Sequence, residues 1–562
     1  MKIKVLWGGL SILRIAWCLV PQFGYLHPDE FFQSPEVMAG DILDLDITRP
    51  WEFLPGSPCR TVVIPLLTSG TIFWILGVLQ QMGIVTTYCS YLLLVLPRLL
   101  ITLFSFLLDL SIYNIAPNWG SDRWKAMVLL AGSYVTLVFY TRTLSNAVEG
   151  ILFALFLLLT STGSSNRNKT LWTARTNHLL GIILAAGFFN RPTFLGFSFM
   201  PFLYWTQHDS TSQFSFRSVF IKVLKLLPCA VPTALVFILA DTLYYRGHHL
   251  FSFNSTKTFR EYLRQNIVLT PLNFLRYNLN PQNLAQHGAH LPFTHLVVNG
   301  IMLFGVLHIS VVLSGIKLLI RRISQLLFKG YYRSSETKKA FFSRQTSSSL
   351  LLFYFVPLAL LSLFSHQEPR FLIPLIIPLV LFAANYNIVI NRIYAIVLYN
   401  MLGAFFFGCL HQAGLVPSLF HIQKTLGSHF LPGTSLAHHT LLFTHTYMPP
   451  KYLLCLKKEQ NSVDVIDLAG FNKDQLCQKL RDTKDKVSNI SKQLLEEKTH
   501  YFLVIFPGTL VTTIDKCGLS YTNVTVLFPH LSMEDPPEVS DLLSGNLTTQ
   551  LGLYIIDVNV HR

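Results

Sequence analysis

The sequence predicts an α-helical protein that crosses a membrane many times and ends in a small soluble α/β or α+β domain. Three observations carry that class. Of 562 residues, 51% are hydrophobic and only 13% charged, where a soluble domain carries roughly a quarter, and the mean hydropathy is +0.44. Apolar runs of bilayer-crossing length recur through the first 411 residues. The charge is also unevenly placed: residues 451–562 hold 12 Lys and Arg against 14 Asp and Glu, so the net +15 divides into +17 before that point and −2 after it. A soluble globular protein is excluded. The basic excess sits in short connectors between apolar runs, not in a stripe with interleaved aromatics, so nucleic-acid binding is set aside.

Met-Lys-Ile-Lys followed by apolar residues 5–20 resembles a signal peptide, but Arg14 interrupts it and no small-x-small cleavage site follows Val20. It reads as an uncleaved signal anchor. Further spans centre on 88–116, 124–140, 147–162, 179–190, 193–206, 218–240, 293–318, 348–364, 371–385 and 390–411, about eleven in all with 5–21. Residues 61–83 are equally apolar, but Pro65, Gly70 and Gly83 break them and they follow an acidic loop, so a re-entrant or interfacial segment is expected. The connector 321–344 carries Arg321, Arg322, Lys329, Arg333, Lys338, Lys339 and Arg344 against Glu336 alone, and 163–178 carries Arg167, Lys169 and Arg175. Both should be cytosolic. Eleven spans from a cytosolic N-terminus satisfy both, and they place His27–Arg60, Tyr140–Asn146, Asn190–Thr193, Asp241–His290, His366–Arg370 and the tail on the opposite side.

The expected division is a membrane catalytic domain over 1–430 and a luminal domain over 431–562. In the tail, β-rich runs at 441–447, 501–507, 523–529 and 552–558 surround a polar helical stretch at 472–498. Cys477 and Cys517 can pair if that domain faces an oxidising lumen. The sequons at Asn254, Asn489, Asn523 and Asn546 fit the same side.

Seven of the 15 acids in the first 450 residues lie in the loop 25–60: Asp29, Glu30, Glu36, Asp41, Asp44, Asp46 and Glu52. His27-Pro-Asp-Glu30 opens it, with Pro28 placed to start a short helix whose first turn favours carboxylates. A solvated, capped loop is the plain alternative. Paired carboxylates at a membrane edge beside Phe31, Phe32 and Trp51 are partly desolvated, the setting a general base needs. Asp29 is the expected base, with Glu30 sharing the role or holding acceptor hydroxyls. His366-Gln-Glu-Pro-Arg-Phe371 brings an imidazole, the Glu368 carboxylate and the Arg370 guanidinium together between two spans, where charges face a cavity or one another. Arg142 and Asn146 in Tyr140-Thr-Arg-Thr-Leu-Ser-Asn146, and Arg191 in Asn190-Arg-Pro-Thr193, lie on the same expected side. Converging cations suit a phosphate. His287 and His290 have no carboxylate or thiol at ligand spacing, so they read as substrate-bonding or structural, with no metal and no cofactor.

In order along residues 5–411, His-Pro-Asp-Glu, Tyr-Thr-Arg-Thr-x-Ser-Asn, Asn-Arg-Pro-Thr, Tyr277-Asn278 with Asn283-Leu-Ala-x-His287-Gly-x-His290, and His366-Gln-Glu-x-Arg-Phe resemble glycosyltransferase family 22. These are multi-spanning, GT-C-type mannosyltransferases of the endoplasmic reticulum. One departure falls after His290, where Leu291 replaces the family's proline. His27 to Met38, Leu269 to Leu275 and Leu442 to Pro450 resemble the branch that adds the fourth mannose to the glycosylphosphatidylinositol (GPI) core. The resemblance implies dolichyl-phosphate-mannose as donor, the 2-hydroxyl of the third mannose of a GPI glycolipid as acceptor, and an α1,2 product formed with inversion. A sister enzyme acting on the third GPI mannose or the N-glycan precursor shares these motifs. A lipid-linked-sugar transporter leaves the acidic loop without a purpose, and no internal repeat supports it.

Overall fold

A computed structural model describes the chain except residues 1, 163–168, 208–215, 251–265, 281, 284–287, 289, 328–346, 386–391, 430–436, 461–462, 494–498, 544–546 and 560–562. Two compact units form, one from Met1–Trp17, Pro50–Leu67 and Leu99–Met401, the other from Cys18–Arg49, Thr68–Arg98 and Leu402–Arg562. The acidic loop and the helix after it join the C-terminal residues.

The first unit is helical. Among the described residues, Val63–Gln81, Ser90–Trp119, Phe216–Gly247 and Ile393–Leu410 are long and apolar enough to cross a membrane, and Ser145–Ser161, His295–Phe304, Ser349–Leu361 and Pro369–Asn385 are shorter apolar helices. Val63–Gln81 is one continuous helix through the segment expected to be re-entrant or interfacial. Pro65 falls in the first turn, where its missing N–H is no loss, and a π-helical turn at Leu66–Gly70 carries the helix onward. Lys169–Asn190 packs along Phe216–Leu250 because Gly181 permits close approach: a Cβ there would lie 2.6 Å from the Leu226 carbonyl oxygen. Arg14, the oddity of the first apolar run, is fully buried and lies 2.8 Å from Asp109 of Ser90–Ile115.

The second unit holds a five-stranded mixed sheet, β1 (Ala437–Phe443), β2 (Val463–Asp467), β3 (Thr499–Pro507), β4 (Tyr521–Leu527) and β5 (Leu553–Val558), in the order β2-β1-β3-β5-β4. β1 runs parallel to β2 and β3, and β5 is antiparallel to β3 and β4. The short β2 escaped the sequence reading because its Val-Asp-Val-Ile-Asp pattern carries two acids. Helix Lys473–Gln493 buries Leu476, Leu480 and Val487 against Phe502, Val504 and Phe506, a stripe of helical period in an otherwise polar segment. Cys477 and Cys517 form a disulfide, with Cα atoms 5.0 Å apart.

Candidate active site

In the second unit, Pro28 starts the single turn Asp29–Phe32, and burial of Phe31 and Phe32 fixes its orientation. The Asp29 side chain keeps 22% of its surface exposed. Gln33 Nε2 donates to its Oδ2 at 2.5 Å, and His27 Nδ1 lies 3.1 Å from the Asp29 backbone nitrogen and 3.2 Å from Oδ1. Glu30 is turned the other way. Its Oε1 accepts from Arg98 Nε at 2.8 Å and lies 2.6 Å from Nη2, both side chains are buried, and Arg98 Nη1 donates to the Gln22 carbonyl at 2.8 Å. That placement turns the Glu30 carboxylate inward, away from the surface that Asp29 reaches.

The other loop acids are also engaged. Glu36 Oε1 accepts from the backbone N–H groups of Thr48 at 2.9 Å and Lys451 at 3.2 Å, and Oε2 accepts from that of Tyr452 at 3.4 Å. Burial outweighs these bonds and pushes the carboxyl up to about 8. Asp41 pairs with Arg49, Asp44 with Lys458, Asp46 with Lys451 and, in the first unit, Glu52 with Arg60. Asp29 meets the Gln33 amide, lies beside the His27 imidazole, and like Asp41, Asp44 and Asp46 reaches the surface.

The first unit gathers the cations. Arg191 Nη1 donates to Ser145 Oγ at 3.1 Å and to Asn146 Oδ1 at 3.5 Å, its Nε lies 3.5 Å from Glu149 Oε2, and its guanidinium stacks over Phe371 at 5.2 Å. Glu368 joins His366, at 3.1 Å from Nε2, to Arg370, whose Nε donates to it. His290 approaches the same group, its ring centroid 6.1 Å from that of His366. Arg142 and Asn146 are fully buried. His287 lies outside the described residues. A cavity of about 310 Å³ opens among these groups, lined by Arg191, His366 and Asn278 at its polar positions and by apolar side chains including Phe274, Leu363 and Phe371. A long apolar wall with a guanidinium and an imidazole at one end can take a lipid-linked anion.

Sequence reasoning missed three supporting residues. Arg98 and Glu149 sit inside apolar helices, and an ionisable residue there is itself the signal. Thr193 donates to Glu149 at 2.6 Å, so that acid links Asn-Arg-Pro-Thr to the Ser145–Thr162 helix. Asp241 accepts from Thr61 Oγ1 and Val62 N, each at 2.9 Å, and from Thr270 Oγ1 at 2.7 Å, which joins three distant segments. Among the described residues, no three His, Cys, Asp or Glu side chains converge to hold a metal ion.

Residues 6–453 match the model of the Alg9-like mannosyltransferase family. The chain belongs to that family. It is 47% identical to the GPI alpha-1,2-mannosyltransferase 4 of Homo sapiens, over 99% of this chain and 94% of the relative. Identity is 28% to the GPI mannosyltransferase 4 of Drosophila melanogaster, over 94% and 86%, and 28% to that of Schizosaccharomyces pombe, over 96% and 92%. Among solved structures it is similar to ArnT from Cupriavidus metallidurans in the apo state, at 10% identity and a TM-score of 0.48 over 98% of this chain and 97% of that one. As a member of the Alg9-like family the protein is a glycosyltransferase that transfers mannose, and its apolar helices make it a membrane protein.

Proposed function

We propose that this mannosyltransferase moves mannose from dolichyl-phosphate-mannose to the 2-hydroxyl of the third mannose of a GPI glycolipid, forming an α1,2 linkage with inversion. The observation that carries the reading is the 47% identity to the human GPI alpha-1,2-mannosyltransferase 4 over nearly the whole of both chains. The chemistry agrees with it. A lipid-phosphate leaving group needs positive charge but no proton, so one carboxylate suffices to deprotonate the acceptor hydroxyl. Asp29 takes that proton while Gln33 holds its carboxylate and His27 Nδ1 accepts its backbone N–H. Arg191 and His366, at the polar positions of the apolar cavity, stabilise the phosphate end of the donor. Arg370 and Glu368 orient His366, and Arg142 and Asn146 set the position of Arg191's helix partner. His290 approaches the sugar end.

The protein acts in the endoplasmic reticulum membrane, with the acidic loop and the C-terminal sheet on the luminal side. The Cys477–Cys517 disulfide supports an oxidising compartment, and the sequon residues Asn489 and Asn523 are exposed. Membranes containing the protein, incubated with labelled dolichyl-phosphate-mannose and a defined three-mannose GPI acceptor, should form a four-mannose product that an α1,2-mannosidase trims. Label appearing on the two-mannose GPI acceptor or on the N-glycan precursor instead would move the protein to a sister reaction.

A further inference from the structure

In the second unit the segment after β1 is fastened to the loop that carries Asp29. β1 ends at the fully buried Phe443, and His445 turns the chain out of the sheet with a left-handed φ of 53°. Its N–H donates to the Ala469 carbonyl at 2.6 Å, and Ser532 Oγ donates to its own carbonyl at 2.5 Å. Three residues on, the Tyr25 hydroxyl donates to the Met448 carbonyl at 2.9 Å, and then Glu36 accepts the N–H groups of Lys451 and Tyr452. Tyr447 lies between these anchors. Its ring centroid is 5.5 Å from Tyr25 and 5.6 Å from His411, edge-on to both, and 6.5 Å from His27. Tyr25 and His411 are buried and joined by a 2.7 Å contact between His411 Nδ1 and the Tyr25 carbonyl. Tyr447 and His27 are half-buried.

An aromatic ring held by T-shaped contacts and half-buried, beside an imidazole next to a carboxylate, has the make-up of a sugar subsite. The C–H face of a pyranose lies on the ring while its hydroxyls reach the polar neighbours. We infer that Tyr447 is a substrate-contacting residue whose ring holds a hexopyranose beside Asp29, which makes the C-terminal sheet part of the machinery for sugar binding. The inference rests on the reading of Asp29 as the base. The hexopyranose belongs either to the acceptor glycan or to the donor, and kinetics separate the two.

The test uses the full chain in membranes or detergent, with Tyr447→Leu and Tyr447→Phe assayed against donor and acceptor in turn. Leu fills the space without an aromatic face, so the KM for one sugar substrate should rise about tenfold while kcat changes much less; Phe should stay near wild type. A raised acceptor KM identifies the acceptor ring, and a raised donor KM the donor ring. Wild-type KM values for both substrates in Tyr447→Leu overturn the inference, and Tyr447→Met gives the same reading if the leucine variant fails to accumulate. Asp29→Asn assayed in parallel separates the two ideas. If it is inactive while the Tyr447 variants keep wild-type KM values, Tyr447 alone is removed; if it is active, the base is removed while the KM comparison at Tyr447 still decides the contact.

Discussion

Glu30 Oε1 lies 2.6 Å from Arg98 Nη2, and both side chains are shut away from solvent. The adjacent Asp29 carboxylate is part-exposed, so one turn of helix holds one acid inward and one at the surface. Removing one partner strands the other charge, at a cost of about 3–5 kcal/mol. Glu30→Ala and Arg98→Ala should each lower protein abundance and thermal stability sharply, and the double variant should recover part of the loss. Equal and additive losses in a double-mutant cycle would show that the pair is not coupled.

Asp29→Asn keeps the shape and the bond from Gln33 but removes the basic oxygen. Mannose transfer should fall by the roughly 10²–10⁴-fold that general-base catalysis supplies, at unchanged abundance. Asp29→Asn with full transfer sends the search for the base to another residue.

Glu36 gives a pH dependence with a defined sign. Its carboxyl is pushed up to about 8 by burial, against 4.5 in the unfolded chain, so the folded state binds the extra proton between those values. The associated stability is fully present below about 4.5 and is lost as pH rises towards 8, by at most about 1.4 kcal/mol per pH unit. Thermal melts of the solubilised protein should therefore show Tm falling over that window. Glu36→Gln mimics the protonated group and should flatten the profile, whereas a parallel fall in the variant would assign the titration to another group.

Arg191 reaches the apolar cavity and also meets Glu149, Ser145 and Asn146. Arg191→Lys loses the planar fork that serves several partners at once. It should raise the donor KM or lower kcat about tenfold or more, and Arg191→Ala should do worse, with the acceptor KM little changed. Donor kinetics at wild-type level in both variants would leave Arg191 a structural residue.

Sidedness is testable in sealed microsomes. A tag after Arg562 should resist protease, a tag near Ser335 should be cut, and Asn489 and Asn523 should accept glycans. Digestion of the C-terminal tag in intact vesicles would place the sheet in the cytosol.

Helices and strands were legible where one physical signal dominated. Apolar runs marked Ser90–Ile115 and Phe216–Leu250, and the polar helical stretch at 472–498 marked the helix on the sheet. In residues 61–83 Pro65 reads as a breaker, yet it falls in the first turn of a helix, and that place is a matter of three-dimensional entry angle. At the site, His27-Pro-Asp-Glu30 located the acids, but local sequence could not say that Glu30 turns inward to Arg98, 68 residues away. Nor could it say that Glu36 would bond the backbone at Lys451, since such pairings are made by the fold.

The Arg14–Asp109 pair bears on how the protein is made. Arg14 emerges from the ribosome 95 residues ahead of its partner, and a lone guanidinium in lipid costs about 2.5–3.5 kcal/mol on insertion scales. At about 5–20 residues per second, roughly 5–20 s pass before Asp109 is synthesised. For that interval Arg14 has no Asp109 to meet, so the charge pair that the finished protein hides is completed only once Ser90–Ile115 has been made.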